Sequence, residues 1–191
     1  MGALDARWWQ VAVDAGLVLL HWADARDRER IEAEGLVPWD ELPGGHRQAH
    51  SVMAPRRGFV YLASPDWHPT VTEMVRDERG RRVEELLIMR VDLSGIAAER
   101  VVPDEDVATA VGGLLIDPRK FNLERVDDDE VGPDRRHESY GAWAEAVDLG
   151  AQPGITEAAV LVGRIAVRGR IGPEALRRAR VDRFGVPLAR Q

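Results

Sequence analysis

Short apolar runs bounded by glycine or charge, rather than long periodic ones, restrict what this chain can fold into. "LVLLHW" follows Gly16, "GFVYLAS" follows a stretch rich in Pro, Gly, His and Arg, and "VEELLIMRVDL" ends in a charged segment. Each is short and contains valine, isoleucine or aromatic residues, so each reads as a strand. "ITEAAVLVGRIAVRGRI" reads as two more β-rich pieces joined near Gly163, and "RVV" at 100–102 as a shorter strand.

Between the runs lie helical signals. "LDARWWQVAVDAG" spaces Leu4, Trp8 and Val11 on one face and stops at Gly16. "DARDRERIEAEGL" offers Asp24 as N-cap, Arg28/Glu32 and Arg30/Glu34 at i,i+4, and Gly35 as its stop. "PDWHPTVTEMVRDERG" reads as a helix starting near Pro65, and "SYGAWAEAVDLG" as one capped by Ser139. Asp104 to Asp106 reads as an acidic helix start, and the tail from Gly172 as a short helix with an extended end. Residues 37–57 and 126–139 carry no period and read as loops. Strands and helices interleaved in this way predict an α+β fold.

With 191 residues, 31% of them charged, one domain over 1–191 is expected to bury a core without staples. Cysteine is absent, which excludes thiol nucleophiles, thiolate metal sites and disulfides. No run is long enough to cross a bilayer, and Asp5, Arg7 and Asp14 disrupt a signal-peptide pattern, so a cytoplasmic protein is expected, with no membrane partner. The net charge of −7 disfavours non-specific nucleic-acid binding. Residues 158–191 nevertheless hold eight arginines against two acidic residues, among them Arg164, Arg168, Arg170, Arg177, Arg178, Arg180 and Arg183.

His21, Tyr61 and Glu157 stand on or beside apolar strand segments. Individually, a histidine at a strand end or a tyrosine in a strand is ordinarily a packed residue that has found a hydrogen-bond partner. In this order and setting, however, the chain resembles the ADP-ribosyltransferase superfamily, in the His-Tyr-Glu class of the poly(ADP-ribose) polymerases and the diphtheria-toxin-like enzymes. "LLHWADARDRERIEAEGLVP" looks like the first strand with its histidine, the helix and the turn that follow. "GFVYLAS" looks like the second motif, with Ser64 as its small hydroxyl residue, and "ITEAAVLVGRIAVRGRI" like the third, a glutamate opening a strand.

The resemblance implies a split, mostly antiparallel β core with flanking helices, on which His21, Tyr61 and Glu157 converge in one cleft. It implies an NAD-dependent mono-ADP-ribosyltransferase that cleaves the nicotinamide–ribose bond, with NAD as co-substrate and an unidentified macromolecular acceptor. By that resemblance, His21 would hydrogen-bond a ribose hydroxyl and Tyr61 would stack on nicotinamide. Glu157 would hold the nicotinamide-ribose 2′-hydroxyl beside the developing oxocarbenium charge. Trp22 and Ser64 complete the implied NAD-binding set, and the segment at 139–154 corresponds to a loop that approaches the target. Trp22 stands where many members carry glycine, and Ala23 where a hydroxyl residue is common. Those two departures are what an inactive binding module of the same fold would show.

A second branch of the superfamily removes a 2′-phosphate from RNA with NAD. His46, Arg47 and His50 imitate its phosphate cluster, but Leu20 precedes His21 where an arginine is wanted. A metal hydrolase is disfavoured: "GGHRQAH" lacks the glutamate beside the first histidine that would act as base, and Asp66 and His68 alone make no ligand set. No metal is expected, and no glycine-rich phosphate cradle is present.

Overall fold

The computed structural model describes residues 4–42, 57–68, 71–72, 75, 84–104, 155–181 and 186–187. In chain order these form α1 (Ala6–Asp14), β1 (Leu19–Asp24), α2 (Arg28–Glu34), β2 (Phe59–Ala63), β3 (Leu86–Val91), β4 (Val101–Pro103), α3 (Ile155–Val162), β5 (Arg164–Arg168) and β6 (Leu176–Arg178). The strands make a six-stranded sheet in the order β4-β5-β2-β1-β3-β6, and every pairing is antiparallel. The fold is therefore α+β with a mostly antiparallel sheet. The expected helix at 139–150, the loop at 126–139 and most of the helix expected after Pro65 lie outside the described residues.

Local signals act where the chain's chemistry places them. The Asp5 carboxylate accepts from the Arg7 and Trp8 backbone N–H groups and opens α1, which ends before Gly16 at φ +85°. Trp9 is buried beneath that helix and donates its indole N–H to the Ile96 carbonyl at 2.8 Å. Asp24 caps a 3-10 turn, Ala25–Asp27, by accepting from the Arg26 N–H, and α2 continues from that turn. Gly35 ends α2 at φ +82°, where a Cβ would run into the Ile171 carbonyl and Gly172. On α2, Arg30 pairs with Asp27 at 3.4 Å instead of with Glu34, because i,i+3 brings the Asp27 carboxylate within reach.

The reading of 155–162 as a strand is corrected: "ITEAAVLV" is the helix α3. Thr156, Ala159 and Val160 are buried while Leu161 is 79% exposed, a three- and four-residue repeat that a strand would not show. A short apolar run does not distinguish a strand from a buried helix, and two adjacent alanines favour the helix. Only the second piece, after Gly163 at φ +74°, is a strand. The tail's expected short helix is a 3-10 turn, Pro173–Ala175, that leads directly into β6.

The strongest departure from a regular sheet lies at its centre. β1 pairs with β3 at six positions, Leu19↔Val91 through Asp24↔Leu86, and β2 with β5 at five. β1 and β2 meet at Leu20↔Ala63 alone. From that point β1 runs on to Asp24 while β2 is traced back to Phe59, with no further strand pairing between them. The sheet is thus two three-stranded halves joined at one bridge.

Each face carries its own apolar layer. Leu19, Val60, Leu62, Met89, Ile165 and Val167 pack with Trp9, Ile31, Ala159 and Val160 from the helices. Leu20, Trp22, Ala63, Val75 and Ile88 form the layer on the other face.

Candidate functional site

The open end of the split forms a cleft of about 100 Å³. Its walls include His21, Trp22, Ala23 and Asp24 from β1, Phe59, Val60 and Tyr61 from β2, Asp27, Arg30 and Ile31 from the turn and α2, and Trp39. Strand alternation decides how the first two candidates enter it. His21 stands opposite Met89 and shares a face with Leu19, whereas Tyr61 shares a face with Ala63 and Trp22. The two side chains therefore leave opposite faces of the sheet, although both residues line the cleft.

The contact that crosses the gap is His21 Nδ1 to the Tyr61 carbonyl oxygen, 3.0 Å. A carbonyl only accepts, so Nδ1 carries the proton and Nε2 of the neutral ring is left as an acceptor. Burial holds the His21 pKa below its ordinary 6.5; the Tyr61 carbonyl and Asp27 pull it upward, Arg30 downward. The neutral imidazole is thus the resting form at neutral pH.

That shift has a measurable consequence. A folded-state pKa below the unfolded value means that the unfolded chain takes up this proton first as pH falls, so His21 withdraws stability below about 6.5 and leaves it unaffected above. Urea midpoints measured between pH 5 and 8 are expected to fall on the acid side, and His21→Gln is expected to flatten that branch. An equally steep acid branch in the variant would contradict the assignment.

Trp22, expected to contact NAD, is 6% exposed and packs into the second-face layer. Its indole N–H donates to His68 Nδ1 at 3.0 Å, so it lines the cleft as a held wall. Ser64 is not on the cleft. It follows the far end of β2, where its N–H donates to the Gly163 carbonyl at 2.6 Å and its side chain fills the space a Cβ on Gly163 would need.

No protein-family model, curated protein or solved structure matches this chain.

Glu157 does not join the other two candidates. It sits half-buried in the first turn of α3 and is outside the described lining of the cleft. The residue that opens the strand beside β2 is Arg164, opposite Ala63. Its guanidinium is buried, donates to Asp104 Oδ2 at 2.9 Å and lies 4.8 Å from the centre of the Trp67 ring. A strand start expected to present a carboxylate thus presents a paired cation.

In place of the expected convergence of three side chains, His21 and Tyr61 line one cleft from positions whose side chains leave opposite faces of the sheet, and Glu157 stands on the element that precedes β5. Sequence reasoning missed Asp24, Asp27 and Arg30 as cleft residues; the i,i+3 spacing of Asp27 and Arg30 next to the candidate histidine was the available signal. Asp24 is held by Arg26 through its side chain, with Nε at 2.9 Å and Nη2 at 2.5 Å from Oδ2. His46, Arg47 and His50, the phosphate-cluster candidates, lie outside the described residues. Among the described residues, no helix is long and apolar enough to cross a membrane.

Proposed function

We propose that the split cleft binds NAD and that the chain is a mono-ADP-ribosyltransferase of the His-Tyr-Glu type, passing ADP-ribose to a macromolecular acceptor. The observation that carries this reading is the neutral His21, fixed by the Tyr61 carbonyl with Nε2 left to accept a hydrogen bond. A ribose hydroxyl is the complementary donor. Tyr61, which also lines the cleft, is the residue whose ring would stack on nicotinamide, and Trp22 is a further lining residue. A volume of about 100 Å³ takes one ring of the dinucleotide, with the remainder along the open mouth.

Nicotinamide leaves as a neutral molecule while positive charge grows on the ribose, so a carboxylate beside that carbon lowers the barrier. By the resemblance Glu157 would do this work and hold the ribose 2′-hydroxyl, reaching toward the cleft from the first turn of α3, outside its described lining. A second reading is favoured by its helical setting and by Arg164 at the strand start: an NAD-binding module of the same architecture without transfer.

The experiment uses NAD labelled in its ADP-ribose half, incubated with a cell lysate and either wild-type protein or Glu157→Gln. Protease and nuclease digestion of the products then identify the acceptor. Label that depends on Glu157 supports transfer; bound NAD without label or nicotinamide release supports the module; no binding ends both readings.

A further inference from the structure

Folding disperses the arginine-rich C-terminal segment unevenly. Arg164 is buried against Asp104 and Arg170 pairs with Glu41 at 2.7 Å, but Arg177, Arg178 and Arg180 remain exposed on and just beyond β6, the outer strand of the sheet. Pairing of β6 with β3 sets Arg177 directly opposite Arg90, and Arg178 opposite Met89 on the other face. One edge therefore carries arginines at positions of both faces; Arg177 Nη1 donates to the Glu174 and Leu176 carbonyls at 2.9 and 2.7 Å, and Arg178 and Arg180 are exposed. The nearby carboxylate is Asp92, whose pKa is lowered first by hydrogen bonds from Ser94 and then by Arg177 and Arg90.

Charged residues on an edge strand keep other chains from adding a strand, and that accounts for Arg177 and Arg178. It does not account for Arg90, which stands on an inner strand. Like charges directly opposite one another in an antiparallel pair are destabilising. Arg90, Arg178 and Arg180 have no ion-pair partner among the described residues. An extended polyanion lying along the edge would meet both faces at once and add negative charge where Arg90 and Arg177 share the carboxylate of Asp92. Because arginine binds phosphate through a planar fork of donors, a phosphodiester backbone suits this edge better than scattered carboxylates do.

We propose that the β6 edge, with Arg90, Arg177, Arg178 and Arg180, is a docking surface for the phosphate backbone of nucleic acid. It lies on the opposite half of the sheet from β2 and stands independently of what the cleft binds. Contacts of this kind read charge, not base sequence, and release counterions.

The test is fluorescence anisotropy of the full chain with labelled single-stranded and duplex oligonucleotides of mixed sequence, from low to moderate salt. Binding is expected to weaken steeply as salt rises. Arg178→Glu or Arg180→Glu is expected to weaken it about tenfold at low salt and to reduce the salt slope by about one. Arg7→Glu, the same charge change on exposed α1, is expected to have a much smaller effect; circular dichroism checks that each variant is folded. Absence of binding at low salt, equal losses from Arg7→Glu and Arg178→Glu, or equal competition by a polyglutamate peptide would each overturn the proposal.

Discussion

Asp104→Ala is expected to destabilise the protein by about 3–5 kcal/mol, the typical loss when one partner of a buried ion pair is removed. Arg164 is 9% exposed and its Nη2 lies 2.9 Å from the Asp104 carboxylate, so the variant removes a carboxylate that a buried guanidinium holds. The Trp67 ring at 4.8 Å offsets only part of this, since a cation over an aromatic face contributes about 2 kcal/mol when desolvated. Urea denaturation measures the loss directly. Asp104→Leu combined with Arg164→Met is expected to recover most of the stability, because apolar replacement of both partners removes the desolvation cost as well. A loss below about 1 kcal/mol for Asp104→Ala, the range of exposed pairs, would contradict the buried pairing of β4's end with the start of β5.

The largest effect on activity is expected from Glu157→Gln. The amide keeps the shape and hydrogen-bonding reach of the side chain but removes the charge that would face the oxocarbenium-like ribose. Loss of one transition-state electrostatic contact costs about 10²–10³-fold in rate. NAD affinity is expected to remain unchanged, because the charge matters only as the bond breaks. Transfer at equal rates by wild type and variant would remove Glu157 from the chemistry. Loss of affinity along with rate would make it a binding residue.

Much of the fold is legible in the sequence because it is locally encoded. The three apolar runs became β1, β2 and β3, while Asp24 and Gly35 punctuate the turn and helix between the first two. Local patterning failed at "ITEAAVLV", where eight residues satisfy either periodicity and packing against β4 and β5 selects the helix.

The site was less legible because it depends on register. Whether His21 and Tyr61 share a face is a question of parity across the Leu20↔Ala63 bridge, and one residue of slip would reverse it. The pairing of Arg164 with Asp104 spans 60 positions and carries no local signal. Similarly, the arginines of the C-terminal segment look alike in sequence, and only the fold separates those consumed by partners from those left on the β6 edge.

Whether the split between β1 and β2 receives NAD is best tested by titrating NAD into protein labelled with nitrogen-15 at its tryptophan indoles. Trp22 and Trp39 line the cleft, whereas Trp9 donates to the Ile96 carbonyl beneath α1 and Trp67 to the Val162 carbonyl at the end of α3. Saturable shifts of the Trp22 and Trp39 indole resonances, with Trp9 and Trp67 unmoved, are the predicted result. Unmoved Trp22 and Trp39 at saturating NAD, or shifts confined to Trp9 and Trp67, would contradict it.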